Sequence, residues 1–487
     1  MLEWPKTKSS ILLFVILSVG LGIITTINIY VAVLLGGTVF YTVFFIYFSD
    51  YSKFKKLIPG FIIVILFQDL IAANLSVVNE EIVTAINNID ELFILLSLPI
   101  VIINNYRERK IKINYFTISI LIILLLGIVS SIIHDVPGNI SMPGAILMFK
   151  GFLFFFIFCS IPFNQKDIQQ YIRIVKILAL IVLFFAFIDL LFHDTFRRLL
   201  NTDNKIDIRS GIISIQSLFI HPGIFGWFMG FIGLYCLAYY MVFKEKKFGI
   251  FSLIFFAASF LSFRFKALFS IVVVIFVSYL QLGLKKILYG LIPTMIILVV
   301  SFLFLGEEII SLTELTIDRY INTSYMESAR TALYVVGMTI GVDEFPFGVG
   351  FGRYGGWIAR INYSSVYYEY GLNTVYGLRP IDPKWATDTY WPHIIGELGF
   401  IGAILWLSIF VAAIFRIYRF YKKIENKETK VFLLFSLFIL IQSIIESLGE
   451  QIYNSAPQYI FIFGVMGIAF SVIGRSNGIQ LKKEKSI

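Results

Sequence analysis

The chain has 487 residues, 58% hydrophobic and 15% charged, with mean hydropathy +0.85 and formal net charge +9. A soluble globular protein is nearer half apolar and a quarter charged, so this composition excludes one and predicts an all-α polytopic membrane protein. The basic excess does not point to nucleic acid, because it is dispersed in short clusters between apolar runs, as in cytoplasmic loops.

A span needs ~20 mostly apolar residues at 1.5 Å rise each. In chain order the runs are 10–27, 29–48, 58–76, 88–104, 114–133, 143–161, 172–192, 219–243, 248–263, 266–283, 287–306, 391–415, 431–448 and 458–474, which predicts about 14 transmembrane helices. Lys6 and Lys8 precede the first run as in a signal peptide, but no small-residue cleavage site follows, so an uncleaved span is expected. The stretch 248–283 is divided at Arg264 and Lys266, because one helix there would be ~54 Å long against a ~30 Å hydrocarbon core. Cys159 and Cys236 both lie within apolar runs and are not expected to form a disulfide.

The even-numbered connections hold Lys53, Lys55 and Lys56, then Arg107 to Lys112, Lys166, Lys244 to Lys247, Lys285 and Lys286, and Arg416 to Lys430. By the positive-inside rule these and both termini are cytoplasmic, and the odd-numbered connections are outside. The expected organisation is helices 1–11 over residues 1–306, a large extracytoplasmic loop at 307–390, helices 12–14 over 391–474, and a cytoplasmic tail at 475–487. A loop of that length is functional or disordered, and its tyrosines, glycines and tryptophans predict an ordered cap. It carries six basic and ten acidic residues, so its arginines would act by placement rather than by bulk field.

Several residues stand out against this background. Arg264, in a short outer hairpin, is either a charge snorkelling at the interface or a phosphate ligand held at membrane level. Arg209 is an ordinary loop arginine or a second such ligand, and His221-Pro222-Gly223 has the form of a helix start. Lys150, flanked by aromatics inside a span, is expected to face a polar cavity or a carboxylate such as Asp69 or Asp189, as an ion pair or a lipid-phosphate contact. Asp69 could instead belong to a proton path in a transporter. In the loop, Arg330 opens a helical stretch that ends in Pro346-Phe-Gly348-Val-Gly350-Phe-Gly352-Arg353, whose glycines permit positive φ and close backbone approach. Asp388 and His393 flank the next span, and either could take a proton from a sugar hydroxyl. Glu397 is expected to be a buried structural carboxylate.

Taken in order, Arg209-Ser-Gly, His221-Pro222, Ser-Phe-Arg264, Arg330…Pro346-Phe-Gly348-Val-Gly350, Asp388-Thr389 and Glu397-Leu-Gly-Phe-Ile-Gly402 resemble the O-antigen ligase and polymerase superfamily over roughly residues 200–415. Ligases of that superfamily typically carry His where this chain has Asp388, so the pattern looks more like a Wzy-type polymerase. The resemblance implies a GT-C-like fold in a bacterial plasma membrane and glycosyl transfer between undecaprenyl-diphosphate-linked oligosaccharides at the outer leaflet. No metal or other cofactor is implied, and a chain-length-determinant membrane protein is a further implied partner. It also implies that Arg209, Arg264, Arg330 and Arg353 neutralise a diphosphate leaving group, with Lys150 and His221 as further substrate contacts and Asp388 or His393 as the base. The neighbouring readings are a ligase and, from another class, a flippase for lipid-linked sugars.

Overall fold

The computed structural model describes residues 41–76, 80–107, 115–202, 208–209, 212–280 and 326–484. The predicted spans 10–27 and 287–306, most of 29–48, and the loop segment 307–325 with Arg319 lie outside the described residues. After the one-turn helix Tyr51–Phe54 come α1 (Ile58–Leu66), α2 (Gln68–Leu75), α3 (Glu80–Asn87), α4 (Ile89–Arg107), α5 (Tyr115–Ile133), α6 (Gly138–Ser160) and α7 (Gln165–Leu199). A two-residue hairpin, β1 (Ile208–Arg209) with β2 (Ile212–Ile213), leads to α8 (Pro222–Phe243), α9 (Lys246–Phe260) and α10 (Phe265–Leu280). After α11 (Ala329–Asp343) and the short turns Trp357–Ile361 and Val366–Glu369 come α12 (Trp391–Lys423), α13 (Lys427–Glu446) and α14 (Gln458–Glu484).

Among the described residues eight helices are long and apolar enough to cross a membrane: α4 to α8 and α12 to α14. Three of the predicted spans take a different form. The run 58–76 is two helices bent by 62° at Phe67, the residue between them. The division at Arg264 holds, with a tight turn there, but α9 and α10 have only 15 and 16 residues. At 1.5 Å per residue each reaches about 22–24 Å, short of a ~30 Å core.

Local chemistry sets the helix ends. Asn164 and Asp167 form a reciprocal capping box, so α7 begins seven residues before its apolar run. His221 caps α8, its Nδ1 accepting the Gly223 N–H at 3.1 Å, with Pro222 in the first turn.

The connections sort to two ends of the bundle. At one end Lys55 bonds the Pro162 carbonyl and Asp167 (both 2.6 Å), Asn104 bonds the Ser49 carbonyl (2.9 Å) and Arg475 the Phe163 carbonyl (2.8 Å). At the other, Asn74 bonds the Leu200 carbonyl (3.2 Å), Ile215 N that of Leu261 (3.0 Å), and the Tyr334 hydroxyl that of Leu448 (2.6 Å). The lysine-rich, even-numbered connections thus meet one another, and the odd-numbered ones meet at the opposite end.

Residues 326–390 fold into a cap with its own apolar core, built on Leu333, Val336, Tyr354, Val366, Tyr367, Leu372 and Leu378. Its buried phenols are satisfied internally: Tyr354 donates to the Leu333 carbonyl (2.7 Å) and Tyr363 to that of Leu378 (2.8 Å). This is an ordered unit and not a linker, as its composition predicted.

Candidate functional site

The site begins with a helix that breaks. At Gly399 α12 takes φ 69° and ψ −179°, which interrupts its hydrogen-bond ladder inside the apolar bundle. Carbonyls freed there must find partners, since no water reaches them. The glycine loop supplies these: Val349 N bonds the Gly396 carbonyl (2.8 Å) and Gly350 N that of Glu397 (3.1 Å). Gly348, Gly350 and Gly352 all have positive φ, and a Cβ on Gly399 would lie 2.3 Å from the Pro346 carbonyl. From below, Ser130 bonds the Gly348 carbonyl (2.6 Å) and the Ser131 hydroxyl accepts the Phe351 N–H (3.0 Å). The two glycine motifs of the sequence are therefore halves of one joint, which seats the cap on α12.

That joint fixes His393 and Glu397, one helical turn apart on the cavity side of α12. Glu397 is fully buried and accepts the Tyr354 N–H through Oε1 (3.1 Å). Its Oε2 stands 3.3 Å from His393 Nε2. His393 is 4% exposed, and its Nδ1 has no hydrogen-bond partner among the described residues. The two form a close charge contact without a hydrogen bond, which places the imidazole against a carboxylate in the cavity wall.

Two polar cavities open at this end. One, of about 460 Å³, is lined by His393, Glu397, Lys150, Trp357, Gln451 and Asn454 among others. The second, of about 610 Å³, is lined by Asp69, Ser76, His221 and Arg264. Asn87, at the end of α3, lines both, so they adjoin. In the larger one Arg264 Nη2 stands 3.3 Å from His221 Nε2. His221 Nδ1 already accepts from Gly223, so the neutral ring carries its proton on Nε2. Two donors side by side form a geometry for an oxyanion.

The four arginines expected to converge do not all do so. Arg264 lines a cavity; Arg330 lines neither, and instead pairs with Asp388 at 3.0 Å. Arg353 is held by the Ser365 hydroxyl (2.7 Å) and lies 3.8 Å from Glu369, away from both cavities. Arg209 is described in its backbone alone, where it pairs with Ile212. Lys150 faces the smaller cavity as expected, but its carboxylates are Asp90 and Glu91, each at 3.0 Å, not Asp69 or Asp189. Asp189 is bound to Arg197 at 2.8 Å. Asp90 also accepts the Tyr459 hydroxyl. With two carboxylates on it, Lys150 has no charge to spare for a phosphate. His221 holds the helix start, as read from the sequence, and meets Arg264 as well.

Sequence reasoning missed the connection 447–457, which ties the two cavities together. Glu450 is ion-paired with Lys266, while Gln451 donates to the carbonyls of Gly355 and Thr389. Burial alone would push the Glu450 carboxyl up, but Lys266, by charge and hydrogen bond, holds it down to about 2. The signal was present: Glu450-Gln451 and Asn454 are polar residues on an odd-numbered connection beside two apolar spans. No known family model matches the chain, and no curated protein sequence is similar to it.

Proposed function

We propose that this protein is a polysaccharide polymerase of the bacterial plasma membrane, joining undecaprenyl-diphosphate-linked oligosaccharide repeat units at the outer leaflet. The observation that carries the reading is the pairing of an oxyanion geometry, Arg264 with His221, and an oriented imidazole, His393 on Glu397, in adjoining cavities at one end of the bundle. The end bearing them is the one the Lys/Arg bias assigns to the outside.

In this mechanism the donor's diphosphate lies against Arg264 and His221. The acceptor hydroxyl gives its proton to the His393 imidazole as its oxygen bonds the donor's anomeric carbon. The bond from that carbon to the diphosphate oxygen breaks, and the electron pair leaves with the diphosphate, stabilised by donors that need not reorganise. Asp388 is engaged by Arg330 at 3.0 Å and lines neither cavity, so His393, which lines one, is the base in this reading. The pair sits beside Thr387, at the edge of the smaller cavity, and serves to hold that segment.

Purified protein in liposomes, given a lipid-linked repeat unit, should produce a ladder of products that remain on the lipid diphosphate. Transbilayer movement without a ladder would favour the flippase, and transfer of a finished chain to another acceptor would favour the ligase. Arg264→Ala should abolish the ladder while the protein stays in the membrane.

A further inference from the structure

We propose that the 460 Å³ cavity is a subsite for an uncharged sugar ring, stacked on Trp357 and closed to phosphate; this rests on the glycosyl-transfer reading and names the ligand of one of its halves. Its charged groups argue against an anion. Lys150, on its wall, is already held by Asp90 and Glu91 behind it, and Glu397 also lines the cavity. The lining therefore offers a phosphate no uncommitted lysine or arginine, whereas hydroxyls can donate to carboxylates and amides alike.

The remaining lining suits a ring with an apolar face and a polar rim. Trp357 is 51% exposed, and the Arg360 guanidinium lies 5.1 Å from its ring centre, which steadies an indole open to the cavity. Asn88, Asn454 and Thr387 provide donors and acceptors around it. The volume lies within the ~300–1,000 Å³ typical of small-ligand sites. A sugar seated on Trp357 also lies beside the His393 imidazole, which makes this the acceptor side of the reaction.

The test is saturation-transfer NMR on the full-length protein in nanodiscs, with methyl glycosides of neutral and N-acetylated hexoses as probes and inorganic phosphate as competitor. At least one glycoside should receive magnetisation on its ring CH protons. The signal should fall at least tenfold in Trp357→Ala, survive in Trp357→Phe, and resist phosphate. In chain extension, Trp357→Ala should raise the acceptor concentration for half-maximal rate at least tenfold, with Trp357→Phe restoring it. Glycoside binding that ignores Trp357, competition by phosphate, or no binding at all overturns the subsite, even if a product ladder forms. Trp357-dependent binding without a ladder keeps the subsite and removes the polymerase reading instead.

Discussion

His393 and Asp388 lie five positions apart and read alike in the sequence, yet their surroundings give them different work. Asp388 faces Arg330, both about a third exposed (side chains 32% and 37%), so their pairing contributes only about 0.2–1 kcal/mol to stability. His393 faces Glu397 in the wall of the smaller cavity. His393→Gln should therefore cut chain extension by about 10²-fold or more, and Asp388→Asn by less than about tenfold. Equal losses in a rate assay at matched protein levels would reverse the assignment. Glu450 offers a pH test. Its carboxyl is lowered from 4.5 to about 2, so the stabilisation it gives is complete above the unfolded value and lost as pH falls through the folded one. Glu450→Gln should lower the melting temperature by a constant amount from about pH 5 to 8, and the two curves should converge as pH drops toward about 2. A gap that persists at the acid end would mean Lys266 is not what holds the carboxylate. Of these residues the sequence disclosed the helix start at His221-Pro222, because a cap is local. The partners of Lys150 were hidden, since Asp90 and Glu91 lie 60 and 59 positions away and only packing brings them close.

The joint between the glycine loop and the broken helix is where element-level geometry meets chemistry. A side chain at Gly399 would meet the Pro346 carbonyl and force a positive φ that costs an L-residue roughly 1–2 kcal/mol before any clash. Gly399→Ala should lower the melting temperature and abolish chain extension, because His393 and Glu397 ride on that turn. Gly60→Ala is the matched control: its Cβ meets nothing within 4 Å, and alanine in α1 should be neutral or stabilising by about 0.5–1 kcal/mol. Similar losses in both variants, measured by thermal unfolding in detergent, would deny the joint its special role. Both glycine motifs were visible in the sequence as places of close approach. That each is the other's partner was not, because spacing records distance along the chain and the loop reaches α12 across about 50 residues.

The whole molecule was legible as a helical, multi-pass bundle, and its alternation of connections predicted which would meet. Among the described residues three of the predicted spans are not single full-length helices, for a physical reason. Hydropathy counts apolar residues and is blind to direction, so a run bent at Phe67, or cut short on either side of Arg264, still scores as a crossing. Orientation is open to direct test, because Cys159 and Cys236 are the chain's two cysteines and both are easily removed. In a cysteine-free background Ile381→Cys, at the 98% exposed rim of the cap, should react with a membrane-impermeant maleimide on intact cells. Lys423→Cys should react only after permeabilisation, and the opposite pattern would turn the molecule over.

Ser130 and Ser131 find their cap partners 218 and 220 positions further along. At roughly 5–20 residues per second, a ribosome reaches those partners some 10–40 s after translating the serines. For that interval the early hairpins wait in the bilayer with their receiving surface incomplete. His393, Glu397 and Gly399 follow the cap in the chain, so the joint and the residues it carries are completed together, once the ribosome has passed α12's break.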